Sequence, residues 1–90
     1  MTTLHILTKP EQLDQHTPLL SYVTQQDAIL LTQDAAYRAN HSLRDLPTKQ
    51  LFVLHDDAAA RGIQPVSEIQ CITYAQFVQL TFDFGNSLTW

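Results

Sequence analysis

The chain has 90 residues, a formal net charge of −4 and one cysteine, which bounds it to a single small domain over residues 1–90. Five Lys and Arg against nine Asp and Glu make it a poor direct nucleic-acid binder, because phosphate contacts need cations. A single cysteine argues against a secreted disulfide scaffold, and no apolar run reaches membrane-spanning length. The start, Met1-Thr2-Thr3-Leu4-His5, lacks the basic and apolar regions of a signal peptide, so a cytoplasmic protein is expected.

Taken in order, Leu4-His5-Ile6-Leu7 predicts a first strand within Thr3 to Thr8, broken by Lys9-Pro10. No Gly-rich phosphate loop follows it. Thr17-Pro18 reads as an N-cap with proline at the first helical position, opening a short helix with Leu19, Leu20 and Val23 on its apolar face. The organising stretch is Ala28-Ile29-Leu30-Leu31-Thr32, a strand apolar at consecutive positions and therefore covered on both faces. Asp34 is expected to cap the helix that begins at Ala35-Ala36 and ends near Asn40. His41 to Leu46 forms another helical turn, ended by Pro47.

Leu51-Phe52-Val53-Leu54 predicts an interior strand. Asp56 or Asp57 is expected to cap Ala58-Ala59-Ala60-Arg61, with Gly62 ending that helix in a left-handed conformation. Ile69-Gln70-Cys71-Ile72 is a short strand. Thr73-Tyr74-Ala75-Gln76 matches a capping box. It opens a helix to about Asp83 whose broad apolar face carries Tyr74, Phe77, Val78, Thr81 and Phe84. Gly85-Asn86 turns the chain, and Ser87-Leu88-Thr89-Trp90 adds a terminal strand. Strands alternating with helices predict an α/β fold with a mainly parallel sheet and right-handed crossovers.

Chemistry is sparse. Cys71 lies in an apolar strand with no neighbouring cation, so it reads as a buried structural cysteine, with persulfide acceptance as the alternative. His5, His16, His41 and His55 lack the spacing of a helical metal site, although His5 and His55 sit in or beside strands that could share a metal. Asp34, Asp56 and Asp57 follow strands, where ligands bind in open α/β sheets, but helix capping explains them more simply. Arg61 suits a helix C-terminus. No Gly-x-Ser-x-Gly elbow is present. No catalytic, cofactor or metal site is expected from these residues.

The order of segments resembles the DsrE/DsrF/DsrH-like sulphur-relay proteins, and within them the DsrH/TusB branch. The resemblance rests on Leu4-His5, on Ile29-Leu30-Leu31 running into Gln33-Asp34, and on Leu51 to Leu54 followed by Asp57 and Ala60-Arg61-Gly62-Ile63. It continues through Tyr74, Phe77-Val78, Leu80-Thr81 and a closing Trp90. It implies one small domain with a parallel sheet of about five strands and helices on both faces. It also implies a non-catalytic subunit of a cytoplasmic heterohexamer, two copies each with TusC-like and TusD-like subunits. That complex passes sulphur from a TusA-like donor toward the thiouridylase that 2-thiolates the tRNA wobble uridine. The working cysteine belongs to the TusD-like subunit. DsrH relatives of sulphur oxidisers can carry a cysteine in the first helix, where this chain has Leu19-Leu20-Ser21. Tyr74, Phe77 and Trp90 are then candidates for interface or packing, with Phe77 facing inward. An isolated chain could form homo-oligomers. The alternatives are a persulfide carrier through Cys71 and a self-associating binding or regulatory module using the space beyond Asp34 and Asp56.

Overall fold

The computed structural model describes residues 2–14, 18–43 and 45–90. Five strands form one sheet in the order β4-β3-β2-β1-β5: β1 (Thr3–Leu7), β2 (Ala28–Leu31), β3 (Gln50–Leu54), β4 (Gln70–Ile72) and β5 (Asn86–Thr89). Every pairing between them is parallel. β2 is central and all four of its residues are buried, as consecutive apolar positions require when both faces of a strand are covered.

The two faces are covered unequally. On one, Leu7, Ile29, Leu31, Leu51 and Val53 form a core with 3-10 segments at Pro10–Leu13, Pro18–Tyr22 and Gln33–Asn40 and with α1 (His55–Ala60). On the other, Leu4, Ala28, Leu30 and Ile72 meet the partly buried Phe77, Leu80 and Phe84. The last three belong to or directly follow α2 (Tyr74–Asp83).

Local departures from expectation have physical causes. Gln33–Asn40 is a 3-10 helix, entered through Gln33 at φ 49°. Its N-cap is Thr32, without a side-chain cap bond. Asp34 therefore does not cap it: the helix starts at Gln33, two residues earlier than expected, which puts Asp34 inside the first turn. α1 likewise begins at His55, directly after the strand, with Leu54 in the cap position and no side-chain cap. Asp56 thus lies inside the first turn, where it suits the helix dipole rather than capping. His41 is a bend, residues 42–43 are irregular and residues 45–47 form a turn and bends, so the expected helical turn is not present among the described residues. The Thr17 cap lies outside the described residues, and Pro18–Tyr22 is 3-10 rather than α.

Two helix ends are specified locally. Gly62, at φ 66°, ends α1. Its amide reaches the Ala59 carbonyl, and the Ile63 amide reaches that of Ala58. These are the paired bonds of a Schellman motif, which needs the left-handed residue. Thr73 Oγ1 accepts from the Gln76 amide at 3.2 Å while Gln76 Oε1 accepts from the Thr73 amide at 2.8 Å, a reciprocal capping box.

Leu30 is fully buried between β1 and β3. Leu30→Ala is expected to lower the unfolding free energy by about 3 kcal/mol, as a methylene-deleting cavity does in a packed core. Urea denaturation followed by circular dichroism checks it.

Candidate functional site

Several polar side chains hold elements together, and a buried cluster of them lies beside β1. Asp27, immediately before β2, is 3% exposed. Its Oδ1 accepts from the Thr3 amide at 3.0 Å, and its Oδ2 accepts from the Thr24 amide at 3.0 Å and meets His5 Nε2 at 2.9 Å. Its carbonyl accepts from Thr48 Oγ1 at 2.6 Å. His5 is 2% exposed, and its Nδ1 accepts from Trp90 Nε1 at 3.0 Å. An indole N–H can only donate, so Nδ1 must carry a lone pair. The proton then sits on Nε2 and is donated to Asp27. The imidazole and indole stack at 6.1 Å, and Tyr22 packs on the indole at 5.9 Å.

Burial alone raises the pKa of Asp27. The Thr24 amide, His5, the Thr3 amide and the Thr24 side chain together outweigh it and hold the group at about 2, below its ordinary 3.8. These donors favour the carboxylate over the acid.

A second network joins the ends of β2 and β3. Arg61 Nε and Nη2 donate to Asp34 Oδ1 at 3.1 and 3.0 Å, and Nη1 donates to the Asp57 carbonyl at 3.2 Å. Asp57 Oδ2 accepts from the Gln33 amide at 2.8 Å, which holds the left-handed turn. The Arg61 guanidinium lies 5.8 Å above the Tyr37 ring. Asp34 and Asp57 are thus engaged with Arg61 and the backbone.

Cys71 is exposed, not buried. β4 is an edge strand, and of its three residues only Ile72 is buried. On the side of Cys71 the small residues Ala58, Ala59 and Gly62 leave an open cleft of about 390 Å3, shared with His55 and Pro65. Its Sγ lies 3.5 Å from His55 Nδ1. His5 and His55 are therefore engaged separately, His5 with Asp27 and His55 with Cys71. Among the described residues no three His, Cys, Asp or Glu side chains converge as a metal site would require.

The outer face of α2 carries no such chemistry. Tyr74, Val78 and Phe82, spaced four apart, are 62%, 43% and 78% exposed. Tyr74 and Val78 therefore stand on the solvent side rather than sharing one face with Phe77 and Phe84. Phe77 lies between the two, packed on the sheet and edge-on to Tyr74 at 5.5 Å.

The DsrH like protein family matches residues 9–87. The chain belongs to the DsrH family. Protein TusB of Yersinia enterocolitica is 42% identical over 80% of this chain and 83% of its own. Protein TusB of Shigella flexneri is 35% identical over 97% of this chain and 99% of its own. The solution structure of protein Tm0979 from Thermotoga maritima covers 92% of this chain and 93% of its own, with a TM-score of 0.63 and 21% identity, a likeness of fold.

For this DsrH-family chain, sequence reasoning missed the Asp27–His5–Trp90 linkage. The available signal was a histidine inside an otherwise apolar strand, since a buried polar group requires a partner. Asp27 generates a prediction with a definite sign. A folded pKa below the unfolded one contributes stability that is complete above the unfolded value and is lost as pH falls through the folded value. A shift from 3.8 to about 2 corresponds to about 2 kcal/mol at neutral pH. Urea midpoints should therefore drop between pH 5 and pH 2. In Asp27→Asn the protein should be less stable at neutral pH and that part of the acid slope should vanish.

Proposed function

We propose that this chain is a TusB-like subunit of a sulphur-relay complex serving 2-thiolation of the tRNA wobble uridine. It is held against TusC-like and TusD-like relatives, two of each, in a cytoplasmic heterohexamer. The working cysteine of the relay lies on the TusD-like subunit, and this chain contributes surface. A TusA-like donor and the tRNA thiouridylase act on the complex rather than on this chain alone. Membership of the DsrH family and likeness to proteins named TusB support this reading.

The observation that carries it is the outer face of α2. Of the ten residues Tyr74–Asp83 only Asp83 is charged, and Tyr74, Val78 and Phe82 present a continuous apolar stripe to solvent. A surface helix normally places charged residues opposite its core stripe. A clustered aromatic face with charge depleted has the composition of an interface centre. Trp90, by contrast, is engaged with His5 and Tyr22, so its part in assembly is to position β5 rather than to make the contact itself.

Co-expression with TusC-like and TusD-like subunits should yield one complex by size-exclusion chromatography with light scattering. Phe82→Asp should abolish it, and Tyr74→Asp should weaken it at least tenfold, because central aromatic anchors dominate such interfaces. Circular dichroism of the free variants should stay unchanged. A wild-type chain that binds neither relative overturns the reading.

The exposure of Cys71 and its contact with His55 favour a second reading, a persulfide carried on this chain. In that step the Cys71 proton passes to His55, and Sγ attacks the outer sulphur of a donor persulfide. The donor S–S bond breaks, and the donor thiolate leaves with the proton from His55, so no external oxidant or reductant is needed. Incubation of the native chain with a small-molecule persulfide should add 32 Da, about one sulphur atom, to Cys71 by intact mass. Native protein that gains no mass, or that gains it equally as Cys71→Ser, removes this reading.

A further inference from the structure

β5 is attached to the sheet in an unusual way. All four of its residues are exposed, so burial of its own side chains contributes little to holding it. Its ladder to β1 is parallel and lies at the sheet edge. The anchor is the residue that follows. The Trp90 amide donates to the Ile6 carbonyl at 2.9 Å, the Trp90 carbonyl accepts from Thr8 Oγ1 at 3.2 Å, and the indole donates to His5 Nδ1 at 3.0 Å. The indole is the only one of these groups that meets a titratable side chain.

We propose that Asp27, His5 and Trp90 form a proton-operated latch: neutral His5 holds Trp90 and the edge strand β5 in place, and a proton on His5 Nδ1 releases them. The argument is one of donors and acceptors. A neutral imidazole has one of each, and both are engaged, Nε2–H toward Asp27 and Nδ1 toward the indole. Protonated imidazole has two donors. The new N–H points at the indole N–H across 3.0 Å, and two donors facing each other repel. The opposite side of the ring gains, because imidazolium and the Asp27 carboxylate then form a buried ion pair at 2.9 Å. Protonation therefore tightens the contact between β1 and the start of β2 while loosening that between β1 and β5.

The groups facing this site define what else could titrate. Asp27 faces His5 from the β2 side, and Tyr22 faces the indole from the 3-10 segment Pro18–Tyr22. The Asp27 carboxylate, held at about 2, remains ionised throughout the range in which histidines titrate. Leu88, paired in register with His5, is uncharged. Release of β5 leaves β1 as the sheet edge with unpaired backbone groups, a template for an added strand.

Trp90 is the sole tryptophan, so the latch carries its own probe. Between pH 7.5 and pH 5, acrylamide quenching of its fluorescence should rise. Exchange of the Trp90 amide, corrected for its intrinsic pH dependence, should accelerate about fivefold, the effect of one lost hydrogen bond on the open population. Far-UV circular dichroism and protection of the β2 amides should hold. His5→Gln, which cannot titrate, should show neither pH-dependent change. In the wild-type chain, imidazole nitrogen shifts should show Nδ1 gaining its proton over the same pH interval as Trp90 opens. An equal response in folded His5→Gln, a Trp90 environment that does not change while Nδ1 is protonated, or opening that precedes protonation each overturns the proposal. The nitrogen-shift comparison decides it even if His5→Gln fails to fold.

Discussion

The structure depends on a carboxylate that has been taken out of water. Asp27 gathers the Thr3 and Thr24 amides and the His5 imidazole, and its own carbonyl receives Thr48. Those contacts fix the start of β1, the turn into β2 and the approach to β3. Removing a charge from water is costly unless its oxygens are fully matched, and here the donors prevail over desolvation, as the lowered pKa shows. The register of the central parallel pair, Leu4 with Ala28 through Leu7 with Leu31, is thereby pinned at one end by polar contacts. Apolar burial specifies the same register along the rest of the pair.

From that point order passes outward. His5 is oriented by Asp27, Trp90 by His5, and β5 by Trp90. The last strand has no buried side chain of its own, so an edge that is weak by composition is secured through a buried histidine from the neighbouring strand. At the opposite end of the sheet the Arg61 cluster plays a comparable part. It ties the left-handed turn at Gln33 to α1 through Asp34 and Asp57, although its exposed ion pairs contribute less than the buried one.

The sheet was legible because its strands are short apolar runs with turn residues between them. Leu51 to Leu54 and Ala28 to Leu31 announce themselves whatever their partners. The capping box at Thr73 and the left-handed stop at Gly62 are local chemistry and are visible within a few residues. Asp34 and Asp56 looked like caps for the same local reason, yet Asp34 answers to Arg61, 27 residues away. Trp90 meets His5 across 85 residues, a pairing that no periodicity encodes. An apolar strand sequence implies burial, and Cys71 departs from it because β4 lies at the sheet edge. At a sheet edge beside a six-residue helix, one face stays open.

The unequal cover of the sheet explains the inner apolar face of α2 but not the outer one. Among the described residues, the face opposite α1 and the 3-10 segments is covered by Phe77, Leu80 and Phe84, so α2 must direct those residues inward. Nothing in that requirement calls for Tyr74, Val78 and Phe82 on the outside, where glutamate or lysine would be favoured for solubility. An exposed stripe of this kind costs an isolated domain through self-association, and no contact within the described fold offsets that cost. In the proposed complex a partner surface covers the stripe. The same argument does not extend to Trp90, whose polar and aromatic contacts are already complete within the chain. Apolar surface and aromatic identity thus sort the three interface candidates: Tyr74 stands with the stripe, Phe77 bridges stripe and core, and Trp90 belongs to the latch.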